Sequence, residues 1–410
     1  MRKTGPPGGL IPVFRPSYDE RELEALREPF EKGWIGLGPK TAEFEEKFAA
    51  YTGARYAVGM NSATAALHLA VAASGIGEGD EVLVPTITFV STAHAVAYCG
   101  AKPVFVDIDP ETLCLNVEDA RRKVTQRTRA ILPVHYGGHA CAMEEVWELA
   151  AEQNLIVIED AAHACGSSYR GQRIGGLAET DATCFSFHAV KNLATGDGGM
   201  VTTHRNDLRE RLLRLRWMGI DRTTWDRSLA HVMDGGRDTS AYASYGWYYE
   251  VTELGFKCHM NDITATIGLV QLAKLEGMNE RRREIAAQYD KGLLGLDWIE
   301  RPVERKYTRS ARHNYVIQTA YRDELNLFLK KQGIATGVHY LPIHLQPFYR
   351  NTQQPPLPMA ERTWKRLLTL PLYADLSEEE VEYILAAIHA FGDQHASATV
   401  TAGRARARGV

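Results

Sequence analysis

A chain of 410 residues, 45% apolar and 24% charged, has the length of about two domains and can fill a substantial core, which excludes a protein disordered along most of its length. Its formal net charge of -4 gives no general attraction to nucleic acid or to an anionic membrane surface. The six cysteines are scattered, with no CxxC pair and no framework spacing, so reduced thiols in a cytoplasmic protein are expected.

The opening "MRKTGPPGGLIPV" has basic residues but no apolar core after them, so no secretory signal is expected. The apolar-rich run at 63–76 is interrupted by His68 and is too short to span a bilayer. From residue 55 onward, short β-branched runs alternate with helical patterns: "RYAVGM" before a helix from Ser62, then "EVLVP", "KPVFVD", "RAILPVH" before "AMEEVWELAAEQ", and "LIVIED". This rhythm predicts an α/β layer with a mostly parallel sheet. "ATCFSFH" and "GGMVTT" are two further strands without a full helix between them.

Residues 221–250 lack clean periodicity and hold Trp225, Tyr242, Tyr245, Trp247, Tyr248 and Tyr249. Such a segment either stacks aromatics on a nucleobase or sugar, or packs on the body or a neighbouring chain. From Asn261 a helical pattern runs to about residue 290, with Ile263, Ile267 and Val270 on one face. A smaller α+β region follows and ends in "SEEEVEYILAAIHAFG". The expected division is a large α/β domain at 1–255, a small domain at 256–395 and a disordered tail at 396–410, where "RARAR" reads as a solvated terminus.

Three separated features carry chemistry. "LIVIED" ends in Asp160 at the carboxyl edge of a strand, where open α/β sheets gather ligands. A carboxylate there is costly unless it faces a cation, although capping the next helix is an alternative use. In "SFHAVKNLATGDGGMV", Ser186 and His188 share a strand face with Cys184, and Lys191 follows within one turn. Upstream, "MNSATAALHLA" sets Asn61, Ser62, Ala63 and Thr64 at a helix start, whose free N–H groups suit an anion, while N-capping explains Ser62 equally well. Together these offer a carboxylate for a ring nitrogen, an amine for an aldehyde and a helix start plus Ser186 for a phosphate. Pyridoxal 5'-phosphate presents all three groups.

With these motifs the chain resembles the DegT/DnrJ/StrS sugar aminotransferases, which are fold type I PLP-dependent enzymes. The resemblance runs from "IPVFRPSYDERELEAL" through "GWIGLGP", "VPTITFVSTAHAVAYCGAKPVFVDIDPET", "IEDAAHACGS" and "LGFKCHMNDITATIGLVQL" to "GIATGVHYLPIHLQP" and "LPLYADLSEEEVEYIL". It implies that Lys191 forms a Schiff base with the cofactor and then shuttles the proton, and that Asp160 pairs with the pyridine nitrogen. It places Phe89 against the ring and His163 near the ring hydroxyl, with Ser186, Ala63 and Thr64 at the phosphate. It further implies a homodimer with shared sites, in which Lys257 approaches the partner's phosphate. His188, His339, Tyr340 and His344 fall in or near segments that meet the substrate. Ala63 and Ala189 stand where glycine and proline are frequent, and His259 stands where arginine is common.

"GIGEGD" at 75–80 follows a helix and precedes a strand, the reverse of a dinucleotide loop, and reads as a helix C-terminal turn. "GDGGM" lacks the GK[ST] of a Walker loop, and His339 with His344 supplies too few ligands for zinc. Family members that dehydrate or deoxygenate the sugar carry histidine in place of the lysine, so Lys191 favours transamination. The expected activity moves the amino group of L-glutamate to a nucleotide-linked (dTDP, UDP or GDP) 3- or 4-keto-deoxysugar, in amino-sugar biosynthesis. A cyclitol ketone aminotransferase and a non-catalytic PLP-binding regulator are the alternatives.

Overall fold

The computed structural model describes residues 9–221, 249–350 and 355–407, so nearly all of the aromatic segment expected at 221–250 lies outside the described residues. Seven strands form the central sheet: β1 (Tyr56–Met60), β2 (Glu81–Pro85), β3 (Lys102–Val106), β4 (Thr128–Ile131), β5 (Ile156–Asp160), β6 (Ala182–Ser186) and β7 (Gly199–Thr203). Their order is β1-β7-β6-β5-β4-β2-β3. Neighbours from β6 to β3 are parallel, and β7 alone runs antiparallel to both of its neighbours. The cause is the connection from β6 to β7, which has no crossover helix and so returns the chain in the opposite direction. The mostly parallel α/β sheet expected from the strand-helix rhythm is what the chain forms.

The helices of seven residues or more among the described residues are α1 (Pro39–Thr52), α2 (Ala63–Ala73), α3 (Ser91–Tyr98), α4 (Val117–Lys123), α5 (Met143–Gln153), α6 (Asn206–Leu215), α7 (Asp262–Gly292), α8 (Arg322–Lys331) and α9 (Glu378–Ala407). Strand alternation divides the core in two. Val82, Val84, Ile158, Cys184 and Val201 pack with Leu67, Leu69 and Val71 of α2 and Leu208 and Leu212 of α6. Leu83, Ile131, Val157, Phe185 and Met200 face the other way, against Phe44 and Phe48 of α1 and Val146 and Leu149 of α5.

The long helix α7 spans about 46 Å at 1.5 Å per residue. Its early residues Ala265, Leu275 and Met278 belong to the large core. Ile285, Ala286 and Tyr289 belong to a third cluster, with Tyr315, Leu368, Ile384 and Phe391. The expected division after residue 255 thus precedes the helix, whereas the apolar contacts change core inside it. Ile11 also joins the C-terminal cluster, tied by its N–H to the Gly333 carbonyl at 2.9 Å.

The structure adds to one expectation and departs from another. On α7 the buried face is Ala265, Gly268, Gln271 and Leu275, while Ile263, Ile267 and Val270 are only half-buried. Gly268 explains the choice, since a β-carbon there would stand 2.7 Å from the Phe44 ring. The small residues let α1 approach, and the β-branched stripe is left facing out. At the other end, α9 continues to Ala407 through most of the segment expected to be a tail. Extending an existing helix through alanine-rich sequence needs no new nucleus.

Candidate active site

At the carboxyl ends of β5 and β6 lies a cavity of about 330 Å³, in the range of small-molecule sites. Ala63, Thr64, Phe89, Asp160, His163, Ser186, His188, Lys191, His339 and Tyr340 all line it. Lys257 does not. Its ammonium sits 3.3 Å from the centroid of the Trp217 ring, held there by a cation-π contact. His344 is also drawn away: Nδ1 lies 2.7 Å from the Thr86 hydroxyl and Nε2 3.2 Å from Glu361.

The acidic corner is built by β5. Asp160 is buried, and its two oxygens accept the Thr92 hydroxyl at 2.8 Å and the Ala162 N–H at 3.0 Å. Burial raises its pKa, against the pull of those hydrogen bonds and of the Lys191 charge. Lys191 follows β6 in a turn closed by its own N–H on the His188 carbonyl at 2.9 Å. Burial lowers its ammonium to about 8, and the Asp160 charge offsets only part of that. Among the described residues the two groups form no direct ion pair. An acid that needs a cation and an amine that is easily deprotonated therefore face one cavity without neutralising each other.

The third corner is the start of α2. Ser62 is its N-cap, accepting the Ala65 N–H at 3.1 Å, so the capping role left open by the sequence is real. The N–H groups of Ala63 and Thr64 have no hydrogen-bond partner among the described residues and lie against the cavity. The Thr64 hydroxyl is 2.7 Å from that of Ser91, and Ser186 ends β6 beside them. Gly199, paired with Ser186, passes so close that a β-carbon would stand 2.5 Å from the Ser62 carbonyl and 2.7 Å from the Ala63 nitrogen.

His163 is buried, and its Nδ1 accepts the Gly137 N–H at 3.3 Å. Its proton must then sit on Nε2, which donates to the Tyr340 hydroxyl at 3.2 Å. Burial, followed by the Lys191 charge, keeps this imidazole neutral, well below its usual pKa. Its ring lies 4.4 Å from that of His313, whose Nδ1 is 3.0 Å from the side-chain Oδ1 of Asn192. Burial, then Lys191, lowers His339 to about 4, and its Nδ1 is 2.7 Å from the Thr369 hydroxyl. Phe89 is exposed at the mouth, its ring 6.1 Å from Tyr340. His188 is exposed beyond the end of β6. Thr92, Ser91 and His313 were not among the residues expected here.

The free N–H groups, the buried acid and the less basic amine fit the phosphate, ring nitrogen and aldehyde of pyridoxal 5'-phosphate. The described residues contain no cluster of three or more His, Cys, Asp or Glu that would hold a metal, and no helix long and apolar enough to cross a membrane.

A model of the DegT/DnrJ/EryC1/StrS aminotransferase family matches residues 16–389. The spore coat polysaccharide biosynthesis protein SpsC of Bacillus subtilis is 39% identical over 390 residues, 92% of this chain and 96% of that protein. The aminotransferase TlmJ of Streptoalloteichus hindustanus superposes with a TM-score of 0.85 at 35% identity, covering 95% of this chain and all of that one. Spr1654 of Streptococcus pneumoniae, solved in its PLP form, gives 0.84 at 31% identity over 94% of this chain and 99% of that one.

Proposed function

The chain belongs to the DegT/DnrJ/EryC1/StrS aminotransferase family, whose members use pyridoxal 5'-phosphate, and from that premise we propose that it transfers the amino group of L-glutamate to a nucleotide-linked keto sugar. One observation carries the reading: Lys191, Asp160 and the free N–H groups of Ala63 and Thr64 line a single cavity, with acid and amine unpaired. When bound, the cofactor supplies an aldehyde for the amino group and a ring that withdraws electrons from the substrate carbon. Asp160 holds the proton on the ring nitrogen, and its burial strengthens that contact. Lys191, with its pKa near 8, is the general base that takes the proton from the carbon and the acid that returns it. The α2 start, Ser186 and Thr64 bind phosphate, while Phe89 and His163 orient the ring. Tyr340, accepting from His163, keeps its own hydroxyl proton for a ligand. His188 and His339 meet the sugar.

A homodimer with shared sites is part of this reading. Trp34 and Ile35 are exposed, and the neighbouring Gly36 carbonyl accepts the Asp262 N–H at 2.8 Å, which sets them at the start of α7, the helix that carries the half-buried stripe of Ile263, Ile267 and Val270. An apolar face of this kind suits a second copy. Glutamate with a panel of nucleotide-linked keto sugars, followed by mass analysis, tests the substrate class. Amination of a free cyclitol ketone, with none of the nucleotide sugars, would replace the assignment. Borohydride reduction and peptide mapping should leave the cofactor on the Lys191 peptide.

A further inference from the structure

Glu159 stands one position before Asp160 on β5, so strand alternation sends its side chain to the opposite face of the sheet. There it meets His135, and both side chains are completely buried. His135 Nε2 lies 2.8 Å from Glu159 Oε2. The other ring nitrogen, Nδ1, accepts the Cys141 N–H at 3.1 Å, which places the ring proton on Nε2 and makes it the donor to Glu159. Glu159 also accepts the Thr180 hydroxyl, and that of Thr183 at 3.4 Å. Thr180 in turn accepts the Trp147 Nε1–H at 3.2 Å, so its own proton is committed to the carboxylate.

A buried polar pair of this kind rarely adds stability over apolar residues of similar volume, so its presence asks for a positional reason. The segment that carries His135 supplies one. His135 donates its N–H to the Asp160 carbonyl at 3.1 Å, and Asp160 donates its own to the Pro133 carbonyl at 2.9 Å. Next along, the Tyr136 hydroxyl donates to the His339 carbonyl and the Gly137 N–H to His163. One short segment thus touches Asp160, His163 and His339, and the pair on the far side of the sheet fastens it to β5.

We propose that His135 and Glu159 are positioning residues, a clamp that fixes residues 133–138 to the end of β5 and so sets Asp160 and His163 at the orientation the cofactor ring requires. The inference rests on the reading that those two residues face the ring. Neither His135 nor Glu159 lines the cavity, so any effect passes through others.

The test uses the full chain with pyridoxal 5'-phosphate as the probe. Glu159→Leu and His135→Leu should weaken cofactor binding about ten-fold, the lower range for outer partners of a buried site. The induced circular-dichroism band of the bound cofactor should shrink as the ring loses its fixed tilt. Glu159→Gln, which keeps an acceptor for the histidine proton, should recover most of both. A merely structural role would lower the melting temperature of the cofactor-free protein and leave affinity and band unchanged in the folded fraction. Wild-type values for both in the folded leucine variants, or a glutamine variant as impaired as leucine, would overturn the clamp. If the leucine variants do not fold, Thr180→Val removes one of the three hydrogen bonds and should weaken binding about three-fold, where no change overturns it. Borohydride trapping on the wild type separates the two failures: no label at Lys191 sinks the functional reading, and a labelled wild type with unaffected variants sinks the clamp alone.

Discussion

Lys191 is a lysine that its surroundings make less basic. Burial brings its pKa from 10.5 to about 8, so the native protein without cofactor holds this proton less tightly than the unfolded chain does. Below about pH 8 both states are protonated and the penalty is fully present; between about 8 and 10.5 the unfolded state binds more protons, so stability rises with pH as the penalty fades. Replacing the amine by a neutral chain of similar length should therefore raise the melting temperature of the cofactor-free protein at pH 7. The gap between Lys191→Met and wild type should close by about pH 10.5, as thermal melts across that range would show, and a constant gap would deny the shifted amine. His163 makes a complementary case. It receives the Gly137 N–H and donates to Tyr340 while remaining neutral, roles that an amide also fills. His163→Gln should keep turnover within about five-fold, and His163→Ala, which leaves Tyr340 and Gly137 unpaired, should lose ten-fold or more. A proton-transferring His163 would instead make the glutamine variant as slow as alanine. Such local residues were legible in the sequence, because Asp160 ends a strand run and Lys191 sits in its own turn. Thr92 was not, since only the folded chain brings the first turn of α3, 68 residues away in sequence, to the Asp160 carboxylate.

Between elements, the decisive contact is where β7 begins beneath the start of α2. Gly199 pairs with Ser186 on one side and leaves no room for a β-carbon on the other, and the atoms it would meet are backbone atoms of Ser62 and Ala63 that cannot swing aside. Gly199→Ala must push the helix start away from Ser186, separating the two halves of the anion corner. Overpacking of this kind costs about 1–3 kcal/mol, and a shift in the urea midpoint at constant slope would report it. Cofactor affinity should fall further than stability alone accounts for. Affinity equal to wild type, measured under conditions where the variant is folded, would show that α2 and β6 do not share one ligand. The strand-helix alternation of β1 to β5 was readable because each period matches its element. The reversal at β7 was foreshadowed by the missing crossover helix. The shared face of Ile263, Ile267 and Val270 on α7 was readable from spacing, but which side is buried was not, because close packing of Gly268 against Phe44 decides it.

At the scale of the molecule, α7 carries the chain from the large core to the C-terminal one, and its half-buried stripe, together with the exposed Trp34 and Ile35 near its start, is the surface on which the proposed second copy would sit. Lys257 belongs to the same question. In its own protomer it rests on Trp217 and stays off the cavity, as a residue serving a partner's site would. A shared site makes a quantitative demand on mixed dimers. A Lys191→Ala protomer keeps Lys257, and a Lys257→Ala protomer keeps Lys191, so a heterodimer contains one site with both residues and one with neither. Random pairing of equal amounts gives half heterodimers, hence about one quarter of the wild-type number of complete sites. With each parental dimer near background at limiting cofactor, coexpression of the two variants should recover about a quarter of wild-type turnover. No recovery, from a mixture shown by mass analysis to contain heterodimers, would mean that every site is completed by a single chain and that Lys257 serves its own Trp217.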